Sequence, residues 1–328
     1  MRQLLWLGFV WMTLWPVGAL AQSCGDSLLV DTTLVADIVC AGGYTGDALI
    51  VGADGVTLDG GGFRIVMDSS GTGVRVTGRS NVTINNLDVS TAASTGVGIY
   101  VEDTVDLNIN GCDLSGRTIG IDSGGTFNTD ASITGNDVSG TSANYGMILR
   151  EFNLNLVFTG NNFSGNASGL YLDGMVGPWS PGLSNTFNGV GAGVVVYLNS
   201  TSNVTINAYD LSSVSDVGTA VFLNNTINTS LTNLDATGRL TAVETSGGDT
   251  GLTIDNVDGS GSGNSWTFLI RDHANDLVFT NNSMSGKQFG ARFDGQLGPW
   301  TLHSTNDFTG IGTGVALELT GGNDIIVD

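Results

Sequence analysis

The side chains best suited to acid–base chemistry fall in one stretch, Arg271-Asp272-His273, with Arg292 and Asp294 about one repeat further on. Imidazole titrates near neutral pH, so His273 is the candidate proton carrier, with Asp272 beside it and Arg271, Arg292 and Asp294 as the charged neighbours. The alternative is a surface histidine beside a structural ion pair. Arg150-Glu151, followed by Asp173, repeats the Arg271-Asp272 and Asp294 arrangement 121 residues earlier, whereas the counterpart of His273 is Phe152. Duplication of that kind favours the structural reading, with each arginine meeting the aspartate of the following coil. His303, the other histidine, has no evident carboxylate partner.

Two further sets could hold a ligand. Gly177-Pro178-Trp179 and Gly298-Pro299-Trp300 each follow an aspartate-bearing segment, at Asp173 and Asp294. A tryptophan on a loop beside carboxylates would stack on a sugar ring, and otherwise folds back to cover its own loop. Asp88, Asp113 and Asp137 recur in equivalent turns, as do Asp210, Asp235 and Asp258, with Asn162 and Ser283 standing in twice. Stacked carboxylates would suit calcium, and no organic cofactor is implied. The Asp/Asn/Ser exchange fits turns in which a side chain accepts a backbone N–H better.

These residues must be positioned by strands. A small residue and a short apolar run return every 22 to 27 positions, at Gly73, Gly98, Gly120, Gly146, Gly169, Gly193, Ala220, Ala242, Thr267, Gly290 and Gly314. The runs are too short for helices and rich in strand formers. A second run follows about seven residues later (NVTIN from Asn81, DLNIN from Asp106, LVFTG from Leu156), and a polar turn closes each unit. The pattern predicts an all-β fold, a single parallel β-helix of about 12 coils of roughly 24 residues, with three short strands per coil. The segment from Gly146 reappears from Thr267 shifted by 121 residues, so five coils form one super-repeat.

The stretch CGDSLLVDTTLVADIVCAGGYTGDALIVGADGVTLDGGGFRI, with coils of the type GIYVEDTVDLNINGCDLSG, resembles the right-handed parallel β-helix repeat proteins of the pectin-lyase-like superfamily over residues 24 to 328. The resemblance is to its carbohydrate-binding and sugar-hydrolase-like repeats, and implies a right-handed coil and a polysaccharide or surface-glycan partner. It does not carry over an activity. The clustered Asp pairs, Gly-His-Gly and Arg-x-Lys of the family's pectin hydrolases are not found. Its calcium-dependent lyases use Arg or Lys as base, and Lys287 is the sole lysine.

Residues 1–21, with one arginine, the apolar LLWLGFVWMTLW and Ala19-Leu20-Ala21, read as a secretory signal cleaved before Gln22. A lipoprotein signal at Cys24 is the competing reading. Export places the chain in the periplasm, at the cell surface or outside. There Cys24 and Cys40 are expected to pair, pinning an N-terminal cap over residues 22–45 ahead of the β-helix at 46–328. Cys112 is expected inside the coil as a small apolar residue. The final DIIVD falls within what should be a coil's second strand, which suggests truncation. A net charge of -21 argues against nucleic acid, anionic membranes and polyuronates, and no later stretch is apolar enough to span a membrane. The resulting expectation is an exported β-helix scaffold that binds glycans or partner proteins. A polysaccharide lyase or glycoside hydrolase, and a structural stalk or adhesin segment, are the alternatives.

Overall fold

The computed structural model describes residues 21–328, apart from Ala41, Thr126, Ser142, Ala143, Leu154, Leu183, Ala274, Asn275, Leu297, Pro299, Asn323, Asp324 and Asp328. The secretory segment read at residues 1–21 lies almost wholly outside the described residues. Every strand pairing is parallel, and no described residue is helical. One sheet of thirteen strands runs the length of the molecule, from Asp26–Leu28 through Val97–Glu102, Ser168–Asp173 and Val194–Asn199 to Leu317–Thr320. A second face is split between an eight-stranded sheet that includes Ser80–Asn85 and Val105–Asn110, and a seven-stranded sheet from Val176–Trp179 to Ile325–Val327.

The third face is narrower than expected. Apart from the pair Ile38–Cys40 and Ile65–Met67, it consists of single-residue bridges such as Asp88 to Asp113, Asp113 to Asp137 and Asp137 to Asn162. In the bridge residues the side chain takes over from the strand. Asp88, Asp113 and Asp137 each accept the N–H of the residue two further on, Ser90, Ser115 and Ser139, at 2.9 to 3.0 Å. That bond turns the chain after one paired residue.

The small-residue rhythm has a steric cause. A Cβ at Gly120 would stand 2.5 Å from Val138 Cγ1 and 2.8 Å from the carbonyl oxygen of Gly146 in the next coil. Two assignments shift. The register places Val195 opposite Gly169 and Ala316 opposite Gly290, so Gly193 and Gly314 lie in the preceding corners. The expected cap is itself wound as a coil, its strands Asp26–Leu28, Thr32–Thr33 and Ile38–Cys40 each pairing with the coil above. Cys24 and Cys40 are joined across it with Cα atoms 5.7 Å apart.

Inside, alternate side chains form one continuous apolar core. Polar ladders thread it. Asn136, Asn161 and Asn185 are buried, and each of the first two accepts on Oδ1 the backbone N–H of the coil before (Cys112 and Asn136), while Asn185 takes that of Asn161. Their amides donate to Ile109, Ile133 and Phe158 carbonyls. Cys112 sits at the foot of this column, buried as expected, its thiol pushed up to about 11 by burial.

The corners leading from the third face back to the long sheet come in two lengths. Six positions separate Asp113 from Ile119, Asn162 from Ser168, Asp235 from Thr241 and Ser283 from Phe289. From Arg64 onward the others take eight or nine, as from Asp88 to Val97 or Asp210 to Thr219. Three of the short corners carry a buried side chain that reaches beneath the long corner before it. Arg117 Nε donates to Val89 O, Asn166 Nδ2 to Val138 O, and Arg239 to the carbonyls of Leu211 and Ser212. In the fourth, Lys287 runs past Gly261 and Gly263 to the Arg239 carbonyl and Asp216.

Candidate functional site

The residues nominated for chemistry do not converge on an open site. His273 is 1% exposed and fills the corner between the long sheet and the second face, correcting the expectation of a surface loop. Its place is part of a buried column. Asn128 stands opposite Phe152, and a shift of 121 carries these to Asp249 and His273. Arg271 lies opposite Asp294 and Arg150 opposite Asp173, but the ion pairs point the other way. Arg150 Nη1 reaches Asp122 Oδ1 at 2.6 Å and Arg271 Nη1 reaches Glu244 Oε1 at 2.8 Å, each on the preceding coil and displaced two residues along the strand. Arg292 meets Asp294 on its own strand at 3.1 Å and Glu318 at 3.9 Å. Diagonal pairing suits long side chains, which lean along the strand. Asp272 adopts φ 50° in a turn.

The tryptophans are core residues. Trp179 and Trp300 are 7% and 5% exposed, and Trp179 Nε1 donates to Leu156 O at 2.9 Å while its ring packs edge-on to Phe158. They correct the expectation of loop-borne stacking platforms, because the segment after Asp173 continues as strand Val176–Trp179 and turns its last side chain inward. Asp88, Asp113 and Asp137 are occupied as turn acceptors, and no group of three or more His, Cys, Asp or Glu suited to a metal occurs among the described residues.

What the fold does assemble lies on the outer face of the long sheet. One outward column runs in register through Asp122, Ile148, Tyr171, Tyr197, Phe222 and Glu244. Tyr171 and Tyr197 meet edge to face with ring centroids 4.7 Å apart, and Tyr197 and Phe222 at 4.9 Å, which is the coil spacing. Tyr145, 44% exposed, stands at the rim. The next residues up its own column are the smaller Ser168 and Val194. A cleft of about 270 Å³ therefore opens among Tyr145, Tyr171 and Tyr197. Gly193 borders it, and a Cβ there would meet Ser168 Oγ at 2.1 Å.

A polar rail flanks the aromatics. Asn199 Nδ2 donates to Asp173 Oδ1 at 2.6 Å, and Asn224 Nδ2 to Asn199 Oδ1 at 2.7 Å. The phenol groups of Tyr171 and Tyr197 are raised by partial burial, with the Asp173 charge adding to it, so both remain protonated donors at neutral pH. At the lower end Asp122 is raised by burial, with Arg150 pulling it back. Further down, Arg75 lies 4.4 Å over the ring of Tyr100 and bonds Asp47 at 2.7 Å. Such a face offers aromatic surface beside fixed hydrogen-bond donors and acceptors, the chemistry that holds a hydroxylated ring. Charge and periodicity alone did not mark it. Alternation in Ser168–Asp173 and Val194–Asn199 reports which side chains face the core, and an outward tyrosine in such a strand carries no signal of its own.

Residues 72–236, half of the chain, match the family described as right handed beta helix region. The chain belongs to this family. Its β-helix is similar in fold to the Dettilon tailspike protein, with a TM-score of 0.53 at 10% identity, covering 89% of this chain and 61% of that one. It spans, that is, about three fifths of the tailspike's length. A mannuronan C-5 epimerase A-module of Azotobacter vinelandii is similar at 14% identity and a TM-score of 0.44, covering 93% and 91% of the two chains. PfbA, a surface protein and adhesin of Streptococcus pneumoniae, is similar at 11% identity and a TM-score of 0.39, covering 94% and 90%. At these identities the likeness is one of fold. No curated protein sequence matches the chain.

Proposed function

We propose that this β-helix is an exported or surface-displayed glycan-binding scaffold whose binding face is the outer side of the long sheet around Tyr145, Tyr171 and Tyr197. The single observation that carries this reading is the cleft those rings enclose beside the Asp173–Asn199–Asn224 rail. Rings with protonated hydroxyls give apolar area and directional bonds together, as a sugar requires. The fold supports a binding role for its rigidity, since a strand-borne site costs little ordering entropy on binding. Turnover is not part of the proposal, because the best acid–base candidate, His273, is buried away from any surface a polymer could reach.

The test is binding of the purified protein to a polysaccharide panel, with release of reducing and unsaturated ends followed in parallel. Tyr171→Ala and Tyr197→Ala are each expected to weaken binding about tenfold or more, with a modest fall in the thermal midpoint from the lost ring contacts and an unchanged circular dichroism spectrum. Retained affinity in both variants would sink the assignment, and product formation would replace binding with catalysis.

A further inference from the structure

Resting on the glycan reading, we infer that the ligand is an uncharged glycan chain lying along the solenoid axis, held at both ends by two copies of one arginine–carboxylate clasp. The clasps are Arg150 with Asp122 and Arg271 with Glu244. Asp122 and Glu244 occupy the same outward column, and between them stand only Ile148, Tyr171, Tyr197 and Phe222. The aromatic platform is therefore one super-repeat long and bounded by the super-repeat's own duplicate. Five coil intervals separate the two carboxylates, a span of roughly 24 Å at the usual strand spacing.

Each clasp has the same geometry, a guanidinium one coil above its carboxylate at 2.6 or 2.8 Å, with the arginine side chain more than a third exposed. Nη1 makes the bond to the carboxylate in both clasps, and in Arg150 also one to the Ser123 carbonyl, so a part-exposed guanidinium keeps its Nε and Nη2 donors beside a carboxylate acceptor, a pairing that suits vicinal hydroxyls. It also cancels the cation. Arg75 and Arg292, which share this outer column, are likewise bonded to carboxylates, so among the described residues each arginine of the face already has its charge balanced. Carboxylates outnumber arginines on the outer face, with Asp47, Glu102, Asp122, Asp173, Glu244, Asp294 and Glu318 against Arg75, Arg150, Arg271 and Arg292. On a chain of net charge -21 that face repels uronates.

The test measures affinity for neutral gluco- and manno-oligosaccharides of increasing length alongside oligouronates of matched length, at fixed low salt. Affinity for the neutral series is expected to climb with length until the chain bridges both clasps, then level off. Arg150→Gln and Arg271→Gln should each cost the long oligomers about tenfold and leave the shortest binders unchanged. Arg150→Lys, which keeps the charge without the fork, should behave like Arg150→Gln, and circular dichroism confirms that each variant folds. Tighter binding of uronates than of their neutral counterparts, or an affinity that stops growing at two or three rings, would overturn the inference while leaving glycan binding in place. Silence on every saccharide would remove the glycan reading itself.

Discussion

Asp249 shows what one atom changes inside a coil. In the first super-repeat Asn128 fills the corner, accepting the Thr104 N–H and hydroxyl on Oδ1 and donating Nδ2 to the carbonyls of Gly124 and Arg150. Asp249 accepts from Thr226 in the same way at 2.6 and 2.8 Å, but its Oδ2 is buried without a partner among the described residues, where the asparagine has a donor. Burial pushes its carboxyl up to about 6, against an ordinary 3.8. The folded state therefore holds a proton that the unfolded chain has already released. Stability is highest below about pH 4, falls as pH rises to about 6 and stays lowered above, by about 3 kcal/mol if this group acted alone. Asp249→Asn is expected to raise the urea midpoint at pH 7 and leave it nearly unchanged at pH 4, and an equal effect at both would refute the account. Little of this could be read from the sequence. His273 stood out because it breaks the duplication, yet the same break at Asn128 and Asp249 is a change of one atom type. Its meaning depends on a burial that repeat spacing does not report. The tyrosines of the proposed binding face are illegible for a related reason: in a strand they are ordinary residues, and only register brings Tyr171, Tyr197 and Phe222 into line.

At the level of elements, strands were legible and corners were not. Period-two alternation and the glycine rhythm follow directly from a core too tight for a Cβ at Gly98 or Gly120, so sequence and packing say the same thing. Corner length carries no hydrophobic signal, so the small-residue rhythm points to Gly193 and Gly314 where the register has Val195 and Ala316. Where they stack, at 186–194 and 210–219, a second cavity of about 350 Å³ opens among Asn188, Gly191, Ser212 and Val217. Arg239 lies beneath it, fully buried, donating to the carbonyls of Val190, Gly191, Leu211 and Ser212. Burial lowers its guanidinium to about 10, which leaves it charged at neutral pH. Arg239→Met keeps volume but strands four carbonyls, and is expected to cost about 3 kcal/mol or more in urea unfolding. The asparagine ladder should behave likewise on a smaller scale. Asn161→Leu is expected to lose about 1 to 3 kcal/mol, since it deprives the Asn136 N–H of its acceptor.

For the whole molecule, each coil touches chiefly its neighbours, so stability accumulates along one dimension and the ends are weakest. The Cys24–Cys40 bond closes a loop of 16 residues in the first coil. Cys24→Ser with Cys40→Ser is expected to lower stability by about 3 kcal/mol, with loss of hydrogen-exchange protection confined to the first two coils. Protection lost uniformly along the chain would instead mean one cooperative unit. The corner pattern sets a further condition. From Asp88 onward long and short corners alternate within each block of five coils, and a block holding an odd number of coils begins and ends on a long one, so the copies join long against long. Evolution of such a rod obeys a parity rule. A pair of coils can be gained or lost within a block without disturbing the order, whereas removal of the long-cornered coil of Asp137 or of Asp258 would set two short corners side by side, and Asn166 or Lys287 would lose the long corner it now runs beneath.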